Sequence, residues 1–165
     1  MIALQIQEVK AFMSSLLIHN VFDDFLLSEL DILTFNHFHI EGKRNKEWYT
    51  EEELELLGEK EYSSWADIKP IAFQLIKGNK TPHAFKIVFI LNKVDLKDIL
   101  EKNNINIRLE EINGVFVNLK YEKEKLSLIT GTSVKVFTMD KTLDREWDES
   151  MKAILRSKQI EFEEL

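Results

Sequence analysis

His37 and His39 stand two residues apart in the run DFLLSELDILTFNHFHIE, residues 24–41. On a strand, residues two apart project from the same face, so both imidazoles would face one way, with Asp31 and Glu41 on the same parity. Neutral imidazoles and a carboxylate form a donor set for zinc, which could activate water in a metal-dependent hydrolase or transferase. The spacing fixes no third ligand, and the same residues suit the solvated face of an edge strand. The metal centre is therefore the alternative reading, and the site expected from the sequence contains no metal.

The leading candidate is a pair of basic loops. Lys43, Arg44, Asn45 and Lys46 follow Gly42, and Lys77 and Lys80 bracket Gly78 and Asn79 ahead of Thr81. Each loop joins small or polar residues to two or three cations and adjoins a strand end. If the strands pair antiparallel, both loops fall at the same end of the sheet. Five cations together in an acidic chain would make an anion site for phosphate, a nucleotide or the carboxylates of a partner. Other candidates have structural explanations. The six glutamates between Glu51 and Glu61 suit the wet face of a short helix. Asp23 and Asp24 suit a turn or helix cap. His19 and His83 have no partner in sequence, and Trp48, Trp65 and Trp147 suit the core or its edge. No serine lies in a nucleophile-elbow context. Whether the chain is an enzyme stays open, with binding favoured over catalysis.

Composition narrows the classes further. The 165 residues are 44% hydrophobic and 31% charged, which describes a folded globular chain, expected here as a single domain over 1–165. Absence of cysteine excludes disulfides, thiolate metal sites and a thiol nucleophile. The five glycines are too scattered for a phosphate-binding glycine loop, and no cofactor is implied. Net charge is −7, concentrated in residues 1–80, which argues against nucleic acid as a partner. Glu8 and Lys10 interrupt any signal-peptide core, and the longest apolar run, Ile87–Leu91, is too short to span a membrane. The expected location is the cytoplasm, so the glycosylation pattern at Asn79-Lys80-Thr81 carries no weight.

These candidates need elements to position them. Ile6, Val9, Phe12, Met13, Leu16 and Leu17 recur at helical spacing and predict a helix over 5–18. Residues 24–41 predict one long strand, or two with a bulge or bend. Thr50 with Glu53, and Ser64 with Asp67, mark helix starts, the first helix running to about Glu59. Pro70 predicts a kink or a later start in the second, and Gly78 its stop. Phe85–Leu91, apolar on both parities, predicts a strand covered on both faces; a second copy of the chain is one way to supply that cover, which makes a homodimer one arrangement. Residues 94–102 predict a helix with Val94, Ile99 and Leu100 inward. Alternation at Ile105–Leu109 and Val115–Tyr121 around an Asn113-Gly114 turn, then Leu126–Ile129 and Val134–Phe137 around Gly131, predicts a four-strand meander. A long helix from Leu143 ends the chain, with Glu161–Leu165 fraying. The expected fold is α+β, an antiparallel sheet of about five to six strands with helices packed mainly on one face.

The segment Trp65–Phe89 (WADIKPIAFQLIKGNKTPHAFKIVF), with FDDFLL at Phe22–Leu27 and Asn45-Lys46, resembles an uncharacterised family of clostridial and related Gram-positive proteins, a domain of unknown function. The resemblance covers nearly the whole chain. It implies a cytoplasmic bacterial protein with a single domain and brings no activity, ligand or catalytic residue. Both basic loops share in it. Taken together, the expected role is a non-enzymatic domain that binds an anion or a partner protein through loops 42–46 and 77–81, with a metal-dependent hydrolase or transferase using His37 and His39, or a structural homodimerising module, as the alternatives.

Overall fold

Leu119 and Tyr121 alternate with Asn118, Lys120 and Glu122, and such a segment buries one side by pairing into a sheet. A computed structural model describes residues 1–58, 60–78 and 80–165, and shows how they pair. In chain order the elements are β1 (Ala3–Ile6), α1 (Val9–Leu17), β2 (Leu26–Leu33), β3 (His37–Glu41), α2 (Glu51–Leu57), α3 (Trp65–Ile76), β4 (Ala84–Ile90), α4 (Lys93–Lys102), β5 (Ile112–Glu122), β6 (Lys125–Val134), α5 (Thr142–Ser157) and β7 (Phe162–Glu164). The strands form one sheet in the order β3-β2-β4-β5-β6-β1-β7, every neighbouring pair antiparallel. Among the described residues no helix is long and apolar enough to cross a membrane.

One parity of the sheet joins the core. Leu4, Leu30, Ile87, Val117, Leu119 and Leu128 are buried in a single cluster with Phe12 and Leu16 of α1, Trp65 of α3, Leu96 of α4 and Trp147 of α5. On the opposite parity Asp31, Lys86, Lys120 and Ser127 are half-buried or exposed, while Val88 is buried. Thr130 is the exception inside. Its hydroxyl donates to Asp148 and accepts the Ile2 N–H, which satisfies it.

The α+β class and the long C-terminal helix stand as expected, but the sheet has seven strands rather than five or six. Two of them lie at the chain ends. Residues 3–6, of which 5 and 6 were expected to open the first helix, form β1, and residues 162–164, expected to fray, form β7 beside it. The meander differs more. Residues 105–108 form no strand, although Ile105 is buried, because β5 already has β4 and β6 on its two sides. Asn113-Gly114 makes no hairpin. It lies inside β5 at a register shift, and Gly114 is packed under Phe116, whose ring would stand 2.6 Å from an added Cβ. The turn falls instead at Lys123 and Glu124, both at positive φ (51° and 63°), the geometry of a tight hairpin turn whose twist matches its strands. Gly131 lies within β6, and Val136 and Phe137 are exposed beyond its end.

Residues 24–41 form two strands joined through Thr34–Asn36. The Thr50–Glu53 capping box is present, and the Ser64 hydroxyl caps α3 by accepting the Asp67 N–H. The expected end of α2 at Glu59 lies outside the described residues. Pro70 does not delay α3, which runs from Trp65. The carbonyl left without its donor belongs to Ala66, which is exposed to water. In α4, Asn92 is the cap, and Leu96 and Leu100 turn inward while Val94 is 71% exposed. Trp48 lies outside the core at 77% exposure, whereas Trp65 and Trp147 are buried.

Gly42 ends β3 against β2. Its N–H donates to the Ser28 carbonyl (2.8 Å), and an added Cβ would fall 1.7 Å from the Leu27 carbonyl oxygen, a backbone atom that cannot step aside. Gly42→Ala should therefore cost about 3 kcal/mol or more in chemical denaturation, at the upper end of single-residue effects. Gly131→Ala, where an added Cβ meets nothing within 4 Å, should be neutral or stabilise by up to about 1 kcal/mol. Equal effects at the two positions would contradict this account of the β2–β3 junction.

Candidate functional site: a cationic groove and a polar sheet face

Strand order decides which of the basic loops can meet. β3 and β4 both run antiparallel to β2 and so run parallel to each other. The chain leaves β3 beside the start of β2, whereas it arrives at β4 beside the end of β2, where Leu33 faces Ala84. Loops 42–46 and 77–81 therefore lie at opposite ends of the sheet, roughly 20 Å apart along an eight-residue strand. The expected five-cation cluster is divided.

At the β2 start, the loop residues hold the fold. Arg44 is only 10% exposed; its guanidinium donates to the Tyr49 hydroxyl (3.2 Å) and to Asp67 (3.3 Å), tying the loop to α3. The Asn45 side chain accepts the Glu47 N–H and caps a short turn. Lys43 pairs through its backbone with Tyr62, and its side chain and that of Lys46 are exposed.

At the other end, loop 77–83 meets the Thr34–Asn36 turn and the β5–β6 turn. Between them lies an open groove of about 1030 Å³. Leu33, Leu75, Ile76 and Tyr121 contribute apolar wall, and Phe35 stands beside them at 87% exposure. Lys77, Lys80, Lys123 and His83 border it, with Glu124 the acidic residue of the lining. Among the described residues none of the three lysines forms an ion pair. Asn79, expected in this set, lies outside the described residues. The Lys77 ammonium is 6.0 Å from the Phe73 ring centre, which draws it to the α3 side of the groove. Thr34, also in the wall, has a buried hydroxyl oxygen without a hydrogen-bond partner among the described residues.

The histidines form a different kind of cluster. Asp31 on β2 sits opposite His39 on β3, and one carboxylate oxygen takes both rings, 2.7 Å from His37 Nε2 and 2.9 Å from His39 Nδ1. The other nitrogen of His39 is 2.9 Å from Glu41 Oε1. Both nitrogens of His39 thus face carboxylates and can donate together only as imidazolium. The hydrogen bonds to Glu41 and Asp31 accordingly raise its pKa above 6.5. Burial works to raise the Asp31 carboxyl, but the bonds from His39 and His37 outweigh it and hold the group below 3.8. A metal ligand needs a free lone pair, and this arrangement leaves His39 none. Among the described residues no group of three or more His, Asp or Glu is disposed to hold a metal ion. The His37/His39 metal centre gives way to a carboxylate–imidazolium network on the open face. Asp23, the other carboxylate of interest, accepts from Lys69 Nζ (2.7 Å), and Asp24 engages Asn92 through its carbonyl.

Sequence reasoning reached Lys77 and Lys80 but missed Lys123, His83 and Phe35. His83 stood alone in sequence, and Lys123 lies between the two expected strands Val115–Tyr121 and Leu126–Ile129 with nothing local to mark it. Their common signal is the turn chemistry around them, which becomes useful only once strand order is known.

These features define an α+β protein built on one antiparallel sheet, with α1, α3, α4 and α5 packed against the core parity. The chain belongs to the family of unknown function DUF5721, whose model matches residues 15–163. No curated protein and no solved structure matches the chain.

The network has a defined pH window. The share of stability due to His39 is complete below its ordinary value of 6.5 and is lost as pH rises through its elevated folded value. The share due to Asp31 is complete above 3.8 and is lost as pH falls through its depressed folded value. Both are therefore full between 3.8 and 6.5. His39→Gln should lower the melting temperature more at pH 6 than at pH 9. The same decrement at both values would show that the ring is not held as imidazolium.

Proposed function

We propose that this chain is a binding module for an organic anion, and that the groove beside β4 is its site. The supporting observation is the conjunction of three lysines without ion-pair partners among the described residues and an exposed aromatic ring around one cleft, in a chain of net charge −7. A local cationic rim in a negative overall field concentrates anions where they bind and repels them elsewhere. Phe35 and Leu75 would take the apolar or planar body of the ligand, and Lys77, Lys80 and Lys123 its phosphate or carboxylate groups. No covalent step is assigned. In this reading Lys43, Arg44, Asn45 and Lys46 serve the β3–α3 junction, and Lys77 and Lys80 carry what remains of the anion site expected from the sequence. A single domain and a cytoplasmic location accord with this role.

Thermal melting against inorganic phosphate, pyrophosphate and a panel of nucleotides tests the proposal. A bound ligand at a hundredfold excess over its dissociation constant should add about 2.7 kcal/mol of stability. The triple variant Lys77→Gln/Lys80→Gln/Lys123→Gln should lose that gain while melting normally without ligand, whereas Lys43→Gln/Lys46→Gln should keep it. Phe35→Ala should weaken nucleotides more than inorganic phosphate. A panel that shifts nothing, or a shift that survives the triple variant, would reject the groove as the site.

A further inference from the structure

β3 is one of the two edges of the sheet, and β2 is its only extensive neighbour among the described elements. The hydrogen bonds at both ends of the β2–β3 ladder show which of its backbone groups are spent. Thr34 N–H donates to the Asn36 carbonyl (3.0 Å), and Gly42 N–H donates to the Ser28 carbonyl (2.8 Å). Antiparallel pairs alternate between bonded and non-bonded, so in this register Phe38 and Ile40 bond inward to Ile32 and Leu30. The N–H and C=O groups of His37, His39 and Glu41 therefore point outward, away from the sheet.

Edges of this kind are usually protected. β7, at the opposite edge, is three residues long and carries Glu163 and Glu164, with Glu161 just before it. A second β7 laid against it would set glutamates against glutamates. β3 has five residues and contains no proline, no lysine and no bulge in its pairing with β2.

We infer that β3 is a self-complementary docking edge, and that its partner is β3 of a second copy of this chain, paired antiparallel about a two-fold axis at His39. Three features favour this register. It aligns all five residues and sets outward group against outward group, giving six backbone hydrogen bonds from the pairs His39 with its copy, His37 with Glu41 and Glu41 with His37. It sets a His37 ring against a Glu41 carboxylate at two positions across the axis; the two side chains are 60% and 70% exposed in the single chain, and their contacts with Asp31 and His39 use one ring nitrogen and one carboxylate oxygen, leaving the other atom of each to pair. On the core side it sets Phe38 against Ile40 twice. Both are only partly buried, and they occupy the non-bonded sites where side chains approach most closely. A shift by two residues either way would lose one of the three bonded pairs and with it two of the six backbone hydrogen bonds. The product is a continuous fourteen-stranded sheet, twice the seven of one chain.

The test is sedimentation of the whole chain over a wide concentration range near pH 7, with three variants compared. Wild type should pass from monomer to dimer as concentration rises. His37→Glu sets like charges across the axis twice and should weaken the dimer about tenfold or more. His37→Glu/Glu41→Lys sets opposite charges across the axis in the same register and should recover it, while Glu41→Lys alone should not exceed wild type. As a check that needs no variant, hydrogen exchange at the His37, His39 and Glu41 amides should slow as wild-type concentration rises, with Phe38 and Ile40 unchanged. A monomer at every concentration would overturn the inference. So would a dimer indifferent to His37→Glu, or one that forms without protecting those three amides.

Discussion

Phe89 is the contact on which the core depends. It lies on β4, near the middle of the sheet, and three aromatic rings meet it: Phe22 stacked at 5.8 Å, Phe25 at 5.7 Å and Trp65 edge-on at 5.2 Å. Through Phe22 the contact extends to Phe12 of α1, and through Phe25 to Trp147 of α5. Elements from both halves of the chain thus converge on one strand position. The two indoles are also oriented by polar bonds. Trp65 donates to the Leu16 carbonyl at 2.8 Å, and Trp147 to the Phe116 carbonyl at 2.9 Å. Aromatic area provides the burial, and these two bonds restrict how the helices can rotate over the sheet.

Because the helices crowd onto that parity, the other parity is left to polar chemistry. Asp31, His37, His39 and Glu41 can associate there only because β2 and β3 are adjacent and their side chains share the uncovered face. The groove has a different origin. It arises where three turns meet at one end of the sheet, so its residues come from positions distant in sequence and close only through strand order.

Local chemistry was legible in the sequence wherever local chemistry decides the outcome. The caps at Thr50 and Ser64, the apolar stripe of Leu143, Trp147 and Met151, and the alternation from Val115 to Tyr121 all depend on neighbours a few residues away. β1 was not legible because its identity as a strand comes from Leu126–Ile129, more than 120 residues later. Asn113-Gly114 misled because a favourable turn pair can equally serve a bulge, and the space under Phe116 asked for the glycine. The two basic loops were recognisable as loops, and Lys77 and Lys80 as exposed cations. Their separation from Lys43 and Lys46 follows from β2 lying between β3 and β4, which no local pattern reveals. The Asp31 pairing shows the same limit. The shared parity of Asp31, His37 and His39 was readable, but that one oxygen would take both rings was not.

The position of β1 between β6 and β7 sets an order of events in folding. β7 has no strand to pair with until β1 has docked on β6, and β1 has no lattice until the β5–β6 hairpin exists. The hairpin is local and cheap to close; the two outer strands require closures across most of the chain. The chain ends should therefore be the last part to assemble and the first to open, with the Lys152–Glu164 contact from α5 closing over β7 at the finish. A protein arranged this way can loosen one margin of its sheet while Phe89 and the rings around it stay packed.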